Sequence, residues 1–130
     1  MISFDTNVLA RAILGDDEQQ SPIAVALLAR TGMVVPTVLL ELVWVLGSKA
    51  GWSRPEIASA LDDLLDIRTL TIVESEAVEW AVARYAAGAD FADMLHLALS
   101  GEATVFATFD KDIVRFADAG VVPVETLVRV

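Results

Sequence analysis

The chain reads as an α/β protein built on a mainly parallel sheet. Three observations predict this. Short apolar runs alternate with helical patterns along the whole 130 residues. The runs lack polar alternation, as strands covered on both faces do. Helix-start and helix-stop residues fall between them at regular intervals. The length suits one domain, and 55% hydrophobic content is enough for a substantial core.

Met1 to Phe4 is an apolar run that ends at Asp5. Leu9, Ala12 and Ile13 continue it at helical spacing, and Gly15 is placed to end that helix in the left-handed region. Ser21-Pro22 predicts the next helix, with serine as N-cap and proline as first helical residue. Met33 to Val35 is a strand, and a helix follows from Pro36-Thr37 through Leu46. Ser53 and Glu56 have the spacing of a capping box, and their helix runs to about Asp66. Leu70 to Val73 is a strand. A helix from Ser75 to about Ala87 ends at Gly88. GADFADMLHLALS then starts another, with Asp90 as N-cap. Thr104 to Thr108 is a strand, Asp110 to Ala117 a short helix, and Val121 to Val124 a last strand.

No uncharged apolar run reaches the roughly 18 residues of a membrane span. The N-terminus lacks the basic residue and cleavage site of a signal peptide. These features predict a soluble, cytoplasmic protein. Nineteen acids against nine Lys and Arg give a formal net charge of −10. Such a surface repels a polyanion at long range. Action on nucleic acid therefore requires divalent cations or a local basic patch, and the acidity favours a basic partner. The absence of cysteine excludes thiolate metal sites.

In parallel sheets, ligands bind beyond the carboxyl ends of the strands. Asp5 directly follows the first strand, and Asp110 lies two residues past Thr108. Both are expected on one edge of the sheet. Glu41 sits inside TVLLELVWVL, where an unpaired buried carboxylate is costly. A helix starting near Thr37 brings Glu41 toward the same edge. Asp93 is in the first turn of its helix, on the side away from Phe91, Met94, Leu95 and Ala98, with His96 beside it. Asp5 and Asp110 could each simply cap a helix, and Asp16-Asp17-Glu18 reads as a solvated loop. Carboxylates gathered from these segments repel one another without a cation. Hard oxygen ligands, one histidine and no cysteine suit Mg²⁺ or Mn²⁺ and not Zn²⁺.

FDTNVL, the isolated Glu41, DFADMLHLAL and ATFDKDI occur in that order. Together they resemble the PIN domain, and in particular the VapC-type ribonuclease toxins of bacterial toxin–antitoxin pairs. The resemblance spans nearly the whole chain as a single PIN-like nuclease domain, residues 1–130. It implies a three-layer α/β/α sandwich with a mainly parallel central sheet. It implies Mg²⁺- or Mn²⁺-dependent hydrolysis of RNA, a homodimer, and a cognate antitoxin that blocks the active site. By position, Asp5, Glu41 and Asp93 match the first three family acids. FDKDI offers Asp110 and Asp112 for the fourth, and Asp110 is preferred because it stands closer to the strand end. Thr6, Asn7 and Thr108 are expected to support the acids or orient substrate. Arg11, Lys49, Lys111 and Arg115 are candidates for phosphate contacts.

Two other readings fit less well. A haloacid-dehalogenase-like phosphatase needs a second acid two residues after the first, where this chain has Asn7. A receiver-like domain wants paired acids near the first strand. A non-catalytic interaction module on the same fold is a third alternative, because fold does not establish activity. The sequence does not separate core from interface for Trp44, Trp52 and Trp80.

Overall fold

The computed structural model describes residues 1–118 and 121–128. The chain forms two compact units, residues 1–75 and 76–130.

In the first unit, β1 (Ile2–Ser3), β2 (Gly32–Val34) and β3 (Leu70–Ile72) form a parallel sheet in that order. Gly32 stands opposite Ile2 on one side and Leu70 on the other. The helices are α1 (Thr6–Leu14), α2 (Gln20–Leu28), α3 (Pro36–Trp44) and α4 (Arg54–Leu65). Helix α1 ends as expected at Gly15, whose φ of 61° is in the left-handed region and whose N–H donates to the Arg11 carbonyl. The Ser53–Glu56 capping box is complete. Glu56 N–H donates to Ser53 Oγ at 3.3 Å, and Ser53 N–H donates to Glu56 Oε1 at 3.0 Å. Buried Leu9, Leu39, Leu42, Leu46 and Leu61 fill this unit's core.

Two helix boundaries in this unit differ from expectation. Helix α2 starts at Gln20, so Ser21 is a buried first-turn residue and not the N-cap. The reason is Asp17, whose Oδ1 accepts from the N–H groups of Gln19 and Gln20 at 2.9 and 2.7 Å. Asp17 is thus a capping residue rather than part of a merely solvated run. Its carboxyl is held below the ordinary value, first by the Gln20 N–H and then by that of Gln19. The ionised form is therefore favoured by folding, and its contribution is complete above the ordinary aspartate range. That contribution is lost as pH falls through the lowered value. Asp17→Asn should accordingly melt below the wild type at pH 7. The gap in Tm should close as pH falls below about 4; a gap independent of pH would deny the carboxylate this role. The second difference is at α3, which passes into a π-helical turn, Val45–Lys49. There Ala50 N–H donates to the Val45 carbonyl, five residues back.

In the second unit, α5 (Ser75–Ala86) and α6 (Phe91–Leu99) precede a parallel pair, β4 (Phe106–Thr108) with β5 (Val124–Thr126), and α7 (Ile113–Phe116) lies between these strands in sequence. Val78, Ala81, Val82 and Tyr85 make the buried stripe of α5. Tyr85 meets Phe91 edge-on at 6.0 Å. Arg84 ties α5 to the last residue of α7 and the chain just after it, donating from Nε to the Phe116 carbonyl and pairing with Asp118. Strand β5 begins at Val124 and not at Val121. Pro123 has no N–H for a ladder, and its carbonyl accepts from Phe106 N–H just before the pairing starts. Helix α7 is shorter than expected and opens after Asp112, not Asp110.

The α/β class with parallel pairing is borne out, since every described strand pair is parallel. Among the described residues the pairings form two sheets, so β1 and β4 do not share one hydrogen-bonded edge. Asp5 and Asp110 each follow the C-terminal end of a strand in its own sheet. No helix among the described residues is long and apolar enough to cross a membrane.

Candidate functional site

In the first unit, Phe4 is anchored by its N–H to the Met33 carbonyl at 2.9 Å and by full burial of its ring. Asp5 follows directly and is exposed. It holds the N-cap position of α1, and its carbonyl accepts from Val8 and Leu9. Its side chain makes no capping hydrogen bond. The simple capping role is therefore absent, and the carboxylate is left for another use. Thr6 is 2% exposed, which suits a support for Asp5 and not a substrate contact. Asn7 is exposed and lines a recess of about 250 Å³ with Arg11 and Gln20. Arg11 donates to Asp16 Oδ1 at 3.1 Å and to Gln20 Oε1 at 3.0 Å, so its guanidinium already has two acceptors. Glu41 is exposed on α3, while its neighbour Leu42 is fully buried. The apolar flanks of Glu41 thus point elsewhere, and the desolvation cost expected from the sequence does not arise.

In the second unit, the two aspartates that open α6 have separate roles. Asp90 is the N-cap, its Oδ2 accepting from Asp93 N–H at 2.9 Å. Asp93 is half-buried. Burial pushes its carboxyl above the ordinary value, and the charges of Asp90 and Asp110 push it the same way. His96, exposed one turn on, opposes this. The buried face of α6 is Phe91, Met94, Leu95 and Leu97, with Leu97 taking the place expected for Ala98. Thr108 ends β4, and its Oγ1 accepts from Asp110 N–H at 3.0 Å. Asp110 Oδ1 in turn accepts from Asp112 N–H at 2.8 Å. Thr108 therefore holds the turn that presents Asp110, a positioning role of the kind expected. Asp112 pairs with Arg115 at 3.3 Å, which occupies both of those side chains. Phe109, Asp110 and Lys111 line a recess of about 640 Å³ closed by Thr126, Leu127 and Val128.

Within one unit the charge of Asp110 thus bears on Asp93, and within the other Asp5 and Glu41 are exposed acids. Among the described residues no three Asp, Glu or His side chains are drawn together as a ready-made metal cage. The donor set itself fits a hard cation, being all carboxylate oxygen with no sulfur. Sequence reasoning missed the exposed rings of Trp44 and Phe109, because spacing alone does not say which aromatic faces solvent.

A family model for the PIN domain matches residues 2–119. The chain belongs to the PIN domain family. The match runs through all four acids and across both units. PIN domains are commonly metal-dependent nucleases, which places this chain, at that coarse level, among hydrolases of nucleic acid. No curated protein was found to match the chain.

Proposed function

We propose that this PIN domain is a divalent-metal-dependent endoribonuclease, the toxin of a toxin–antitoxin pair. One observation carries the reading. Asp93 is half-buried, its carboxyl is raised by burial and by the charges of Asp90 and Asp110, and among the described residues no ion pair neutralises it. A partly desolvated carboxylate with a second acid bearing on it favours a bound cation.

Asp5, Glu41, Asp93 and Asp110 would hold Mg²⁺ or Mn²⁺, directly or through water. Bound there, such an ion lowers the pKa of a water and offsets charge on the phosphodiester. The chain's own residues do the positioning. Asp90 fixes the first turn of α6 and so the backbone that carries Asp93. Thr108 fixes the Asp110 turn. Lys111, beside Asp110, is suited to a phosphate oxygen, as is Lys49 near Glu41 in sequence. Asp110 is favoured over Asp112 as the fourth acid, because it couples to Asp93 while Asp112 is paired with Arg115.

A basic antitoxin suits the net charge of −10. A groove of about 700 Å³ in the first unit adds to this. It has apolar walls, including Val25, Leu28, Trp52 and Leu64, with Glu56 and Asp63 beside them. That lining matches an amphipathic basic helix. A homodimer in the cytoplasm completes the proposal.

The test is cleavage of a mixed RNA panel with Mg²⁺ or Mn²⁺, with EDTA, and with the small basic product of the neighbouring gene. Cleavage should require the metal and stop on adding that product. Asp5→Asn should lose about 10²-fold or more in rate while its circular dichroism stays unchanged. Undiminished cleavage by folded Asp5→Asn would sink the assignment of Asp5.

A further inference from the structure

Trp44 is the last residue of α3 and is 57% exposed, although it is large and apolar. Trp52 and Trp80 are partly buried. Trp44 lies three residues after Glu41, so the two share a helix face, and both reach solvent. Lys49 Nζ stands 5.4 Å from the centroid of the Trp44 ring. In a regular α-helix, residues five apart are separated by about 140° and do not meet. The π-helical turn Val45–Lys49, with Trp44 at its N-cap, narrows that separation. It widens the turn so that the fifth residue comes back over the first. An irregular turn therefore builds the pair, and such turns recur at functional sites. Among the described residues Lys49 takes part in no ion pair, in a chain with 19 acids and 9 bases.

We propose that Trp44 and Lys49 form a nucleotide seat beside Glu41, in which an RNA base stacks on the indole and the adjoining phosphate meets the ammonium. The inference rests on Glu41 belonging to the active site, and it deepens that reading by naming what holds the substrate. An exposed indole is a sequence-tolerant platform, because every base has a π-face. A cation beside it answers the phosphate. The pairing of ring and cation favours single-stranded nucleic acid over a protein partner, which would need only the apolar surface. In a protein this acidic, a fixed local cation also offsets the repulsion of the RNA backbone.

The experiment measures binding of a fluorescein-labelled single-stranded oligoribonucleotide by anisotropy in EDTA, where metal-dependent hydrolysis is silent. Quenching of tryptophan emission is followed in parallel. Trp44→Ala should weaken binding by roughly tenfold and remove most of the quenching. Trp44→Phe should restore most of the affinity. Lys49→Gln should weaken binding a few-fold and lower the slope of log affinity against log salt by about 1. Equal affinity of wild type and Trp44→Ala would overturn the proposal, as would absence of saturable binding by the wild type. A change in oligomeric state with oligonucleotide binding unaltered would also overturn it and make Trp44 a subunit contact. Cleavage assays with metal report separately on the nuclease reading: retained cleavage with unchanged binding in Trp44→Ala removes only the nucleotide seat.

Discussion

Asp93→Asn is expected to lose metal-dependent RNA cleavage by about 10²-fold or more and, without metal, to melt above the wild type. The two effects have one cause. Folding places the Asp93 carboxylate in a partly desolvated position and brings Asp90 and Asp110 toward it. All three influences favour the protonated form. A carboxyl raised in this way binds its proton more readily when folded, so its ionised form opposes folding at neutral pH. Asparagine keeps the shape and removes the charge. The site is half-exposed and solvent screens it, so the gain should be about 0.5 kcal/mol, or about 2 °C in Tm. The sign fixes the pH dependence. The gain should be largest at pH 7 and should shrink as pH falls through the raised value of Asp93, where the wild type takes up its proton. Magnesium supplies the complementary measurement. At ten times its Kd it should raise the wild-type Tm by about 4 °C, and should raise that of Asp93→Asn by much less. Asp90→Ser provides the contrast, because serine retains the cap and removes only charge. It should keep activity near that of the wild type. Equal losses in Asp90→Ser and Asp93→Asn would refute the division of roles within α6.

Gly32→Ala should be the most damaging small substitution in the first unit. A methyl at this position would stand 2.2 Å from Cε2 and 2.6 Å from Cζ of Phe4, and 2.9 Å from the Ile2 carbonyl oxygen. The ring cannot swing away, because Phe4 is only 2% exposed. Nor can the strand yield freely, because Gly32 lies in the middle strand, opposite both Ile2 and Leu70. Overpacking of this kind costs about 1–3 kcal/mol, or about 4–12 °C in Tm. Activity should fall with it even at temperatures where the variant is folded, because Asp5 follows Phe4 directly. The double variant Gly32→Ala, Phe4→Leu relieves the contact, so its loss should be smaller than the sum of the two single losses. Strict additivity would show that the contact between Gly32 and Phe4 is not the cause.

The fold was legible wherever the signal is local. Gly15, the Ser53–Glu56 box and the spacing of Val78, Ala81, Val82 and Tyr85 each act within one or two helical turns. The separation of Asp90 from Asp93 was legible for the same reason, since an N-cap and a third helical residue differ by position alone. The misplaced boundaries needed partners that spacing does not name. Asp17 overrode the Ser-Pro signal at α2 by reaching two backbone N–H groups. Strand β5 took its register from the Pro123 carbonyl and β4.

By itself the sequence determined the α/β class and the order of the elements, and it singled out four carboxylates by their resemblance to family motifs, because periodicity, caps and ordered motifs are written along the chain. Only the tertiary structure decided what each charge does. It left Asp5 uncapping, paired Asp112 with Arg115, turned Glu41 to solvent and brought Asp110 toward Asp93. It also set Lys49 over Trp44 through a turn with no recognised sequence signal. The physical reason is that electrostatic and ring contacts depend on distances in space, and those are fixed only when the segments have packed.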